Sequence, residues 1–198
     1  MSDEINKDTN EKESSSPITF IIVGVIVVAV ALFVVFGQKH TYRSVVPGTK
    51  AVEFTLPDLE GKPHTLAEYS GNVIFLNFWA TWCETCKDEM PSMEYLYQSL
   101  QGMPFEIVAI SLDEKVEDIN EFLETYNLSF VMLQDKTGKP KELYKTTGVP
   151  ETFIIDQNGV IAEKIWGSRD WSDTRNLTTI IDLLKNGPKE NPEDYAEK

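Results

Sequence analysis

Cys83 and Cys86 are the only cysteines in this chain, and two residues separate them in the segment NFWATWCETCKDEM. Such a Cys-x-x-Cys pair can bind a metal, form a structural bridge or exchange disulfides. Zinc and iron–sulfur sites need about four ligands, and the only histidines are His40 and His64. Lys87 follows Cys86, whereas covalent haem attachment requires histidine there. We therefore expect no metal and no cofactor besides the cysteine pair itself.

The position of the pair favours redox chemistry over a structural role. A bridge across so short a loop removes little entropy from the unfolded chain, so it stabilises weakly. Cys83 follows the apolar run NVIFLNFWA and precedes a helical pattern, and unpaired N–H groups at a helix start favour a thiolate. Cys86 follows one turn later on the same side of the helix. A peroxidatic cysteine usually has Thr or Ser three residues earlier, and Ala80 stands there instead.

The elements that must position the pair alternate between strand and helix patterns. Beyond the first apolar strand and its helix, the apolar periodicities and turn residues predict the following elements: a hairpin around 58–62, strands at 105–112 and 130–133, helices at 116–127 and 139–148, a hairpin around QNG at 157–159, and a last helix capped by Ser172 or Asp173 and ending at Gly187. This order is typical of an α/β sheet that is covered on both faces.

The N-terminal part of the chain contains an uncharged apolar segment. Residues 18–36 hold no charge and as a helix would measure roughly 28 Å, close to the hydrocarbon thickness of a membrane. A cleaved secretory signal is shorter and ends in small residues, which GQKHTYR does not offer. We therefore predict this organisation: a disordered tail at 1–17, a transmembrane anchor at 18–36, a linker at 37–50, one domain at 51–187 and a loose tail at 188–198.

Charge excludes one class of function and leaves the membrane orientation open. The net charge of −14 argues against nucleic-acid binding, which needs clustered lysine and arginine. Lys7 and Lys12 precede the apolar segment, and Lys39 and Arg43 follow it. Because these positive charges nearly cancel, they do not indicate which side of a membrane the domain faces.

The segments FWATWCETCK and TGVPETF, with the order of strands and helices, resemble the thioredoxin superfamily. The resemblance is strongest to its membrane-tethered TlpA/ResA/DsbE-like thiol-disulfide oxidoreductases, with a redoxin domain over roughly 46–186. It implies a thioredoxin-like fold: a central mixed sheet with helices on both faces, an N-terminal β-hairpin and a βα insertion. It also implies that Pro150, after Val149, is cis, packs against the disulfide and helps to hold the substrate. An ordinary trans loop proline is the alternative.

Residues near the pair depart from the general thioredoxin pattern. Asn77 stands where thioredoxins bury an aspartate, so the resemblance makes Glu89 the leading candidate for proton handling. Glu84 matches a glutamate inside the ResA-like motif, and Thr85 replaces a frequent proline. An exposed first-turn side chain is the alternative for Glu84, and a solvated helix face for Glu89. Trp82 would be an exposed aromatic beside the nucleophile or, by composition alone, a core residue.

The resemblance implies an anchored enzyme that reduces disulfides of client proteins outside the cytoplasm. The cysteine sulfurs would lie close to three carboxylates, those of Glu84, Glu89 and Glu151, which would raise the pKa of the thiols. A high thiol pKa favours a cysteine pair that gives electrons to its clients. Implied clients include apocytochrome c, and a membrane protein of the CcdA/DsbD type would supply electrons. We expect a single-pass protein of the cytoplasmic membrane, with residues 1–17 inside and the domain facing the periplasm or an equivalent space. A general envelope reductase or isomerase is the alternative; a Sco-like copper chaperone lacks support because no histidine follows His64.

Overall fold

The computed structural model describes residues 17–37 and 45–196. The chain forms two compact units, Met1–Arg43 and Ser44–Lys198. In the first unit, helix α1 spans Pro17–Gly37, and its described side chains are exposed. Among the described residues, no helix is both long and apolar enough to cross a membrane, so the predicted span at 18–36 is not confirmed. Residues 1–16 of the tail predicted at 1–17, and residues 38–44 of the linker predicted at 37–50, lie outside the described residues.

The second unit is built on a mixed five-stranded sheet with the strand order β5-β4-β3-β6-β7. Its strands are β3 (Val73–Trp79), β4 (Phe105–Ser111), β5 (Val131–Gln134), β6 (Glu151–Ile155) and β7 (Ile161–Trp166). β3 runs parallel to β4 and antiparallel to β6, and every residue of β3 is buried. The continuous apolar run thus becomes the central strand, as its composition predicts.

Among its described residues the domain has four α-helices, and three of them pack on one face of the sheet. They are α2 (Glu84–Ser99), α3 (Val116–Tyr126), α4 (Lys139–Leu143) and α5 (Thr178–Asn186). Side chains of α2, α3 and α5 share one core with Phe75 and Trp79 of β3. On the other face, Leu76 and Phe78 pack with Tyr144, which follows α4, and with the N-terminal segment of the domain. The unit α3–β5 extends the sheet at one edge, where β5 pairs with β4.

The predicted N-terminal hairpin is present as β1 (Thr55–Pro57) and β2 (Pro63–Thr65). Asp58 closes its turn, because one carboxylate oxygen accepts hydrogen bonds from the backbone N–H groups of Glu60 and Lys62, both at 2.9 Å. Such a local bond is what favours aspartate at a turn. Leu56 of this hairpin is buried against the sheet.

Three segments differ from their sequence-based expectations. The helix predicted over 139–148 ends at Leu143, and Lys145 adopts a left-handed conformation with φ of 52° that a helix cannot contain. The last helix begins as a 3₁₀ turn at Thr174–Leu177, capped by Asp173 as predicted. Part of the tail expected to be loose forms a 3₁₀ helix at Pro192–Tyr195, where Tyr195 is buried.

The described chain ends of this domain meet at the start of β7. The backbone N–H of Gly48 donates to the carbonyl of Ile161 at 2.8 Å. Gly48 has a φ of +86°, and a Cβ at this position would lie 2.8 Å from the carbonyl oxygen of Pro192. Glycine is therefore required here both by conformation and by the close approach of the C-terminal segment.

Candidate active site

Cys83 and Cys86 form a disulfide at the beginning of α2, with their Cα atoms 5.3 Å apart. Cys83 is the N-cap residue, and its sulfur accepts a hydrogen bond from the backbone N–H of Cys86 at 3.2 Å. Cys83 retains 7% of its surface exposed, whereas Cys86 has none. The helix start therefore directs a backbone N–H group at the outer sulfur, an arrangement that stabilises a thiolate, and Cys83 is the more accessible cysteine of the pair.

The Val149–Pro150 peptide bond is cis, as the resemblance implied. Its loop lies against the disulfide, because Cys83 Sγ is 3.5 Å from the carbonyl oxygen of Val149. Pro150 is buried, and its carbonyl accepts a hydrogen bond from the backbone N–H of Gly167 at 3.0 Å. Cys83 and Val149, which are 66 positions apart in sequence, thus lie side by side at the outer sulfur.

Two side chains of the motif remain at the surface beside Cys83. Trp82 is 66% exposed, so the exposed-aromatic prediction is confirmed over the core alternative. The Thr85 hydroxyl lies 3.5 Å from Cys83 Sγ, and since a disulfide sulfur carries no proton, the hydroxyl is the donor. Both residues are placed to contact a protein that approaches the sulfur.

The loop before the nucleophile is fixed by a buried aspartate that sequence reasoning missed. Asp113, after β4, accepts hydrogen bonds from the Thr81 backbone N–H at 2.9 Å and from the Thr81 hydroxyl at 2.7 Å. The Ser111 hydroxyl binds the same carboxylate at 2.8 Å. These charge-assisted bonds hold the residue two positions before Cys83.

Glu84 extends into solvent and is neutralised by its neighbour on the helix. Its side chain is 82% exposed, and Lys87 Nζ donates to it at 2.7 Å. This hydrogen bond raises the pKa of Lys87. The exposed first-turn alternative therefore describes Glu84, and its charge acts on the sulfurs only weakly because solvent and Lys87 screen it.

Glu89 is buried, so the solvated-face alternative is wrong for this residue. Only 2% of it is exposed. One oxygen, Oε1, accepts hydrogen bonds from the Trp171 indole N–H at 2.5 Å and from the Arg169 backbone N–H at 3.3 Å. Burial raises the pKa of Glu89 to about 7, against the opposing effect of these two bonds. A carboxyl group one turn after Cys86 thus gains and loses its proton near neutral pH.

Asn77 occupies the buried position that the resemblance assigns to aspartate in other thioredoxins. It is fully buried, and its Nδ2 donates to the hydroxyl of Thr152 on β6 at 2.9 Å. Asn77 lies two residues from both Phe75 and Trp79 along β3, so it shares the face of the sheet that packs against α2. An amide cannot exchange a proton at this place, whereas the buried carboxyl group of Glu89 on α2 can.

Glu151, directly after the cis proline, forms a buried ion pair. Lys164 Nζ lies 2.9 Å from its carboxylate, and their side chains are 1% and 7% exposed. By alternation along β6, Glu151 shares the sheet face of Phe153, opposite to the face of α2. The expected crowding of three carboxylates around the sulfurs is therefore reduced, because lysines balance both Glu84 and Glu151.

The partners of Glu89 and Glu151 could not be found from the motif. Trp171 and Arg169 lie about 80 positions after Glu89, and Lys164 lies on a different strand from Glu151. Among the described residues, no group of three or more His, Cys, Asp or Glu is arranged to hold a metal ion.

Comparison with known proteins agrees with this geometry. A family model described as AhpC/TSA matches residues 47–164. The thiol-disulfide oxidoreductase ResA of Geobacillus thermodenitrificans is 35% identical over 144 residues, which are 72% of this chain and 83% of the relative. ResA of Oceanobacillus iheyensis is 34% identical over 169 residues, 82% and 88% of the two chains.

A solved structure is also similar to this chain in fold and sequence. The crystal structure of a Chlorobium tepidum protein assigned as thiol:disulfide interchange protein DsbE has a TM-score of 0.67 and 32% identity, covering 71% of this chain and 99% of that one. With an accessible Cys83, a buried Cys86 and an adjacent cis proline, the site is that of an enzyme that exchanges disulfides. The chain belongs to the AhpC/TSA family and, within the thioredoxin superfamily, to the ResA- and DsbE-like thiol-disulfide oxidoreductases.

Proposed function

We propose that this protein is a membrane-tethered reductase that opens disulfides of client proteins outside the cytoplasm. The observation that carries the proposal is the setting of the cysteine pair: an outer sulfur beside an exposed Trp82 and the cis loop, with a buried Glu89 close behind the inner cysteine. A carboxyl group that titrates near neutral pH suits proton transfer to and from a thiol.

The reaction has two exchange steps. The Cys83 thiolate attacks one sulfur of the client disulfide, so that a Cys83–client bond forms, the client disulfide breaks and the released client sulfur takes a proton. Cys86 then gives its proton to Glu89 and attacks the sulfur of Cys83. The Cys83–Cys86 disulfide forms, and the client leaves as a thiol after a second proton transfer. The client gains two electrons and two protons, and the enzyme ends as the disulfide seen in the structure.

Electrons run from the enzyme to the client in this proposal because of Glu89. When ionised, its carboxylate disfavours a neighbouring thiolate, whereas strongly oxidising members of the superfamily have a highly stabilised thiolate. We expect a reduction potential well below about −150 mV, a value near that of the strong oxidant DsbA. Equilibration with glutathione or dithiothreitol buffers measures it, and a value at or above about −150 mV would refute the proposed direction.

Apocytochrome c is the client class that we propose, with recharge by a membrane electron donor of the CcdA/DsbD type. Resemblance to the ResA- and DsbE-like enzymes supports this choice. Replacing Cys86 with serine leaves Cys83 able to attack but prevents release, so clients accumulate as mixed disulfides. The matched control is Cys83→Ser, which should trap nothing. Apocytochrome or its haem-attachment partners among the trapped proteins would support the proposal; a broad set of unrelated envelope proteins would favour a general reductase instead.

The membrane tether is supported by the uncharged run at 18–36 and by the exposed apolar side chains described in α1, such as Phe20 at 68%. We propose that the domain faces the outside, where a reductase held beside its electron donor is useful. In a chain lacking both native cysteines, Ile5→Cys should resist a membrane-impermeant thiol reagent in intact cells, whereas Ser99→Cys, on the domain surface, should react. Labelling of Ile5→Cys in intact cells contradicts this orientation.

A further inference from the structure

The loop between β7 and the last helix reaches across to α2 and encloses Glu89. Trp171 is fully buried, and its ring packs edge-on against Phe75 with centroids 4.6 Å apart. Its backbone N–H donates to Ser92 Oγ at 3.0 Å, and that hydroxyl donates in turn to the backbone carbonyl of Glu89 at 2.8 Å. The indole is therefore held at a fixed position relative to α2 by packing as well as by hydrogen bonds.

The two oxygens of the Glu89 carboxyl group have different surroundings. Oε1 accepts both N–H donors, from the Trp171 indole and from the Arg169 backbone. Oε2 is buried and has no hydrogen-bond partner among the described residues. The two N–H donors occupy both in-plane lone pairs of Oε1, which leaves no in-plane position on this oxygen for a proton. A proton carried by Glu89 consequently sits on Oε2.

Glu89 lines a small cavity at the protein surface. It has a volume of about 220 Å³ and is lined by Asp88, Glu89, Ser92, Ser168, Arg169 and Asp170. The charged residues that line this cavity besides Glu89 are thus Asp88, Asp170 and Arg169, whose Nη1 also pairs with Glu163 at 3.2 Å. Of these three, the Arg169 guanidinium acts on Glu89 and lowers its pKa, whereas Asp88 extends into solvent. Protons can reach Glu89 through this cavity while the indole stays in place.

We propose that Trp171 is a positioning residue for proton transfer: its indole N–H, together with the Arg169 backbone N–H, fixes Oε1 of Glu89 so that Oε2 carries the proton exchanged with Cys86. This inference rests on the proposed role of Glu89 and extends it to a residue 82 positions away. Trp171 touches neither the client nor the sulfurs in this scheme and acts through Glu89 alone.

The direct test follows the indole N–H signals of the purified full chain by NMR while pH is varied. The Trp171 signal should shift with a midpoint at about pH 7, the value expected for Glu89. Trp79 is the internal control, since it is equally buried but donates to Met132 Sδ, and its signal should stay constant. Glu89→Gln should abolish the shift at Trp171. A Trp171 signal that is constant across pH 5–9 in the unmodified chain would overturn the inference, and this experiment requires no variant of Trp171.

A kinetic test uses Trp171→Phe, which keeps an aromatic ring against Phe75 but removes the N–H. Loss of a donor to the ionised carboxylate should move the pH midpoint of mixed-disulfide resolution by Cys86 upward by about 1 unit. Trp79→Phe, the matched buried control, should leave the midpoint unchanged, and the double variant Glu89→Gln/Trp171→Phe should behave as Glu89→Gln alone. An unchanged midpoint in folded Trp171→Phe would overturn the inference. If the unmodified chain reduces no client disulfide, the proposed function fails, while the indole titration still decides this inference.

Discussion

We expect the stability of the unmodified protein to fall between pH 4.5 and pH 7, and we expect the replacement of Glu89 with glutamine to remove this fall. The pKa of Glu89 in the folded protein is about 7, against an ordinary value of 4.5. Below pH 4.5 the group is neutral in both the folded and the unfolded chain, so its burial carries no ionisation penalty. As pH rises, the unfolded chain loses this proton first, and unfolding becomes progressively more favourable until the folded protein also ionises.

The size of the effect follows from the difference between the two pKa values. Each unit of pKa difference corresponds to about 1.4 kcal/mol, so the ionisation of Glu89 lowers the free energy of unfolding by about 3 kcal/mol between pH 4.5 and pH 7. Above pH 7 this contribution stays constant. Glutamine does not titrate, so the variant lacks this contribution. Its stability at any single pH also includes the cost of an amide N–H₂ at the place of the unpartnered Oε2, and the test therefore compares slopes rather than single values.

Urea unfolding of the oxidised chain at several pH values from 4 to 8 measures these slopes. Tryptophan fluorescence is a suitable signal, because all four tryptophans lie between residues 79 and 171 and report on the domain alone. Asp88→Asn is the matched control, an exposed carboxylate on the same helix, and it should retain the slope of the unmodified protein. Parallel curves for the Glu89→Gln variant and the unmodified chain would refute the reasoning.

Three further substitutions test other parts of the site. Lys164→Met leaves Glu151 buried without its counter-charge and should lower the free energy of unfolding by about 3–5 kcal/mol; a loss below about 1 kcal/mol in urea unfolding would contradict the ion pair. Asp113→Asn weakens the hydrogen bonds to Thr81 and should lower the free energy of unfolding by about 1–3 kcal/mol. It should also slow the alkylation of reduced Cys83. An unchanged alkylation rate would show that these hydrogen bonds do not position the loop before Cys83. Trp82→Ala changes an exposed side chain, so stability should stay within about 0.5 kcal/mol while KM for a client protein rises; an unchanged KM would exclude Trp82 from client binding.

Local patterns in the sequence were sufficient to predict the central strand and the two hairpins of the domain. The apolar run at 73–79 and the turn residues around 58–62 and 157–159 are short-range signals, and the central strand and both hairpins appear where they were expected. The reactive pair could be predicted for a similar reason, because its chemistry depends on a strand end and a helix start that adjoin it in sequence. The cis proline came from resemblance to a family, since spacing alone does not distinguish it from an ordinary trans bond.

Properties that depend on distant residues could not be predicted in the same way. Glu89 has the sequence neighbours of an exposed helix residue, and only the loop that carries Trp171 buries it. The helix predicted after Gly138 fails at Lys145 because the backbone turns to place Tyr144 against the sheet, where its hydroxyl donates to the carbonyl of Val52 at 2.8 Å. In both cases a tertiary contact outweighs the local preference.

The close approach of Gly48 to Pro192 has a practical consequence. These residues lie beside the start of β7, which is at the opposite end of the sheet from Cys83, roughly 20 Å away along a seven-residue strand. A group that is attached to the domain through residue 45 or residue 196 therefore lies at the end of the domain opposite the disulfide. An electrode linker, a fluorophore or a fused partner enzyme can be attached at that end, and the sulfur of Cys83 remains accessible to proteins in solution.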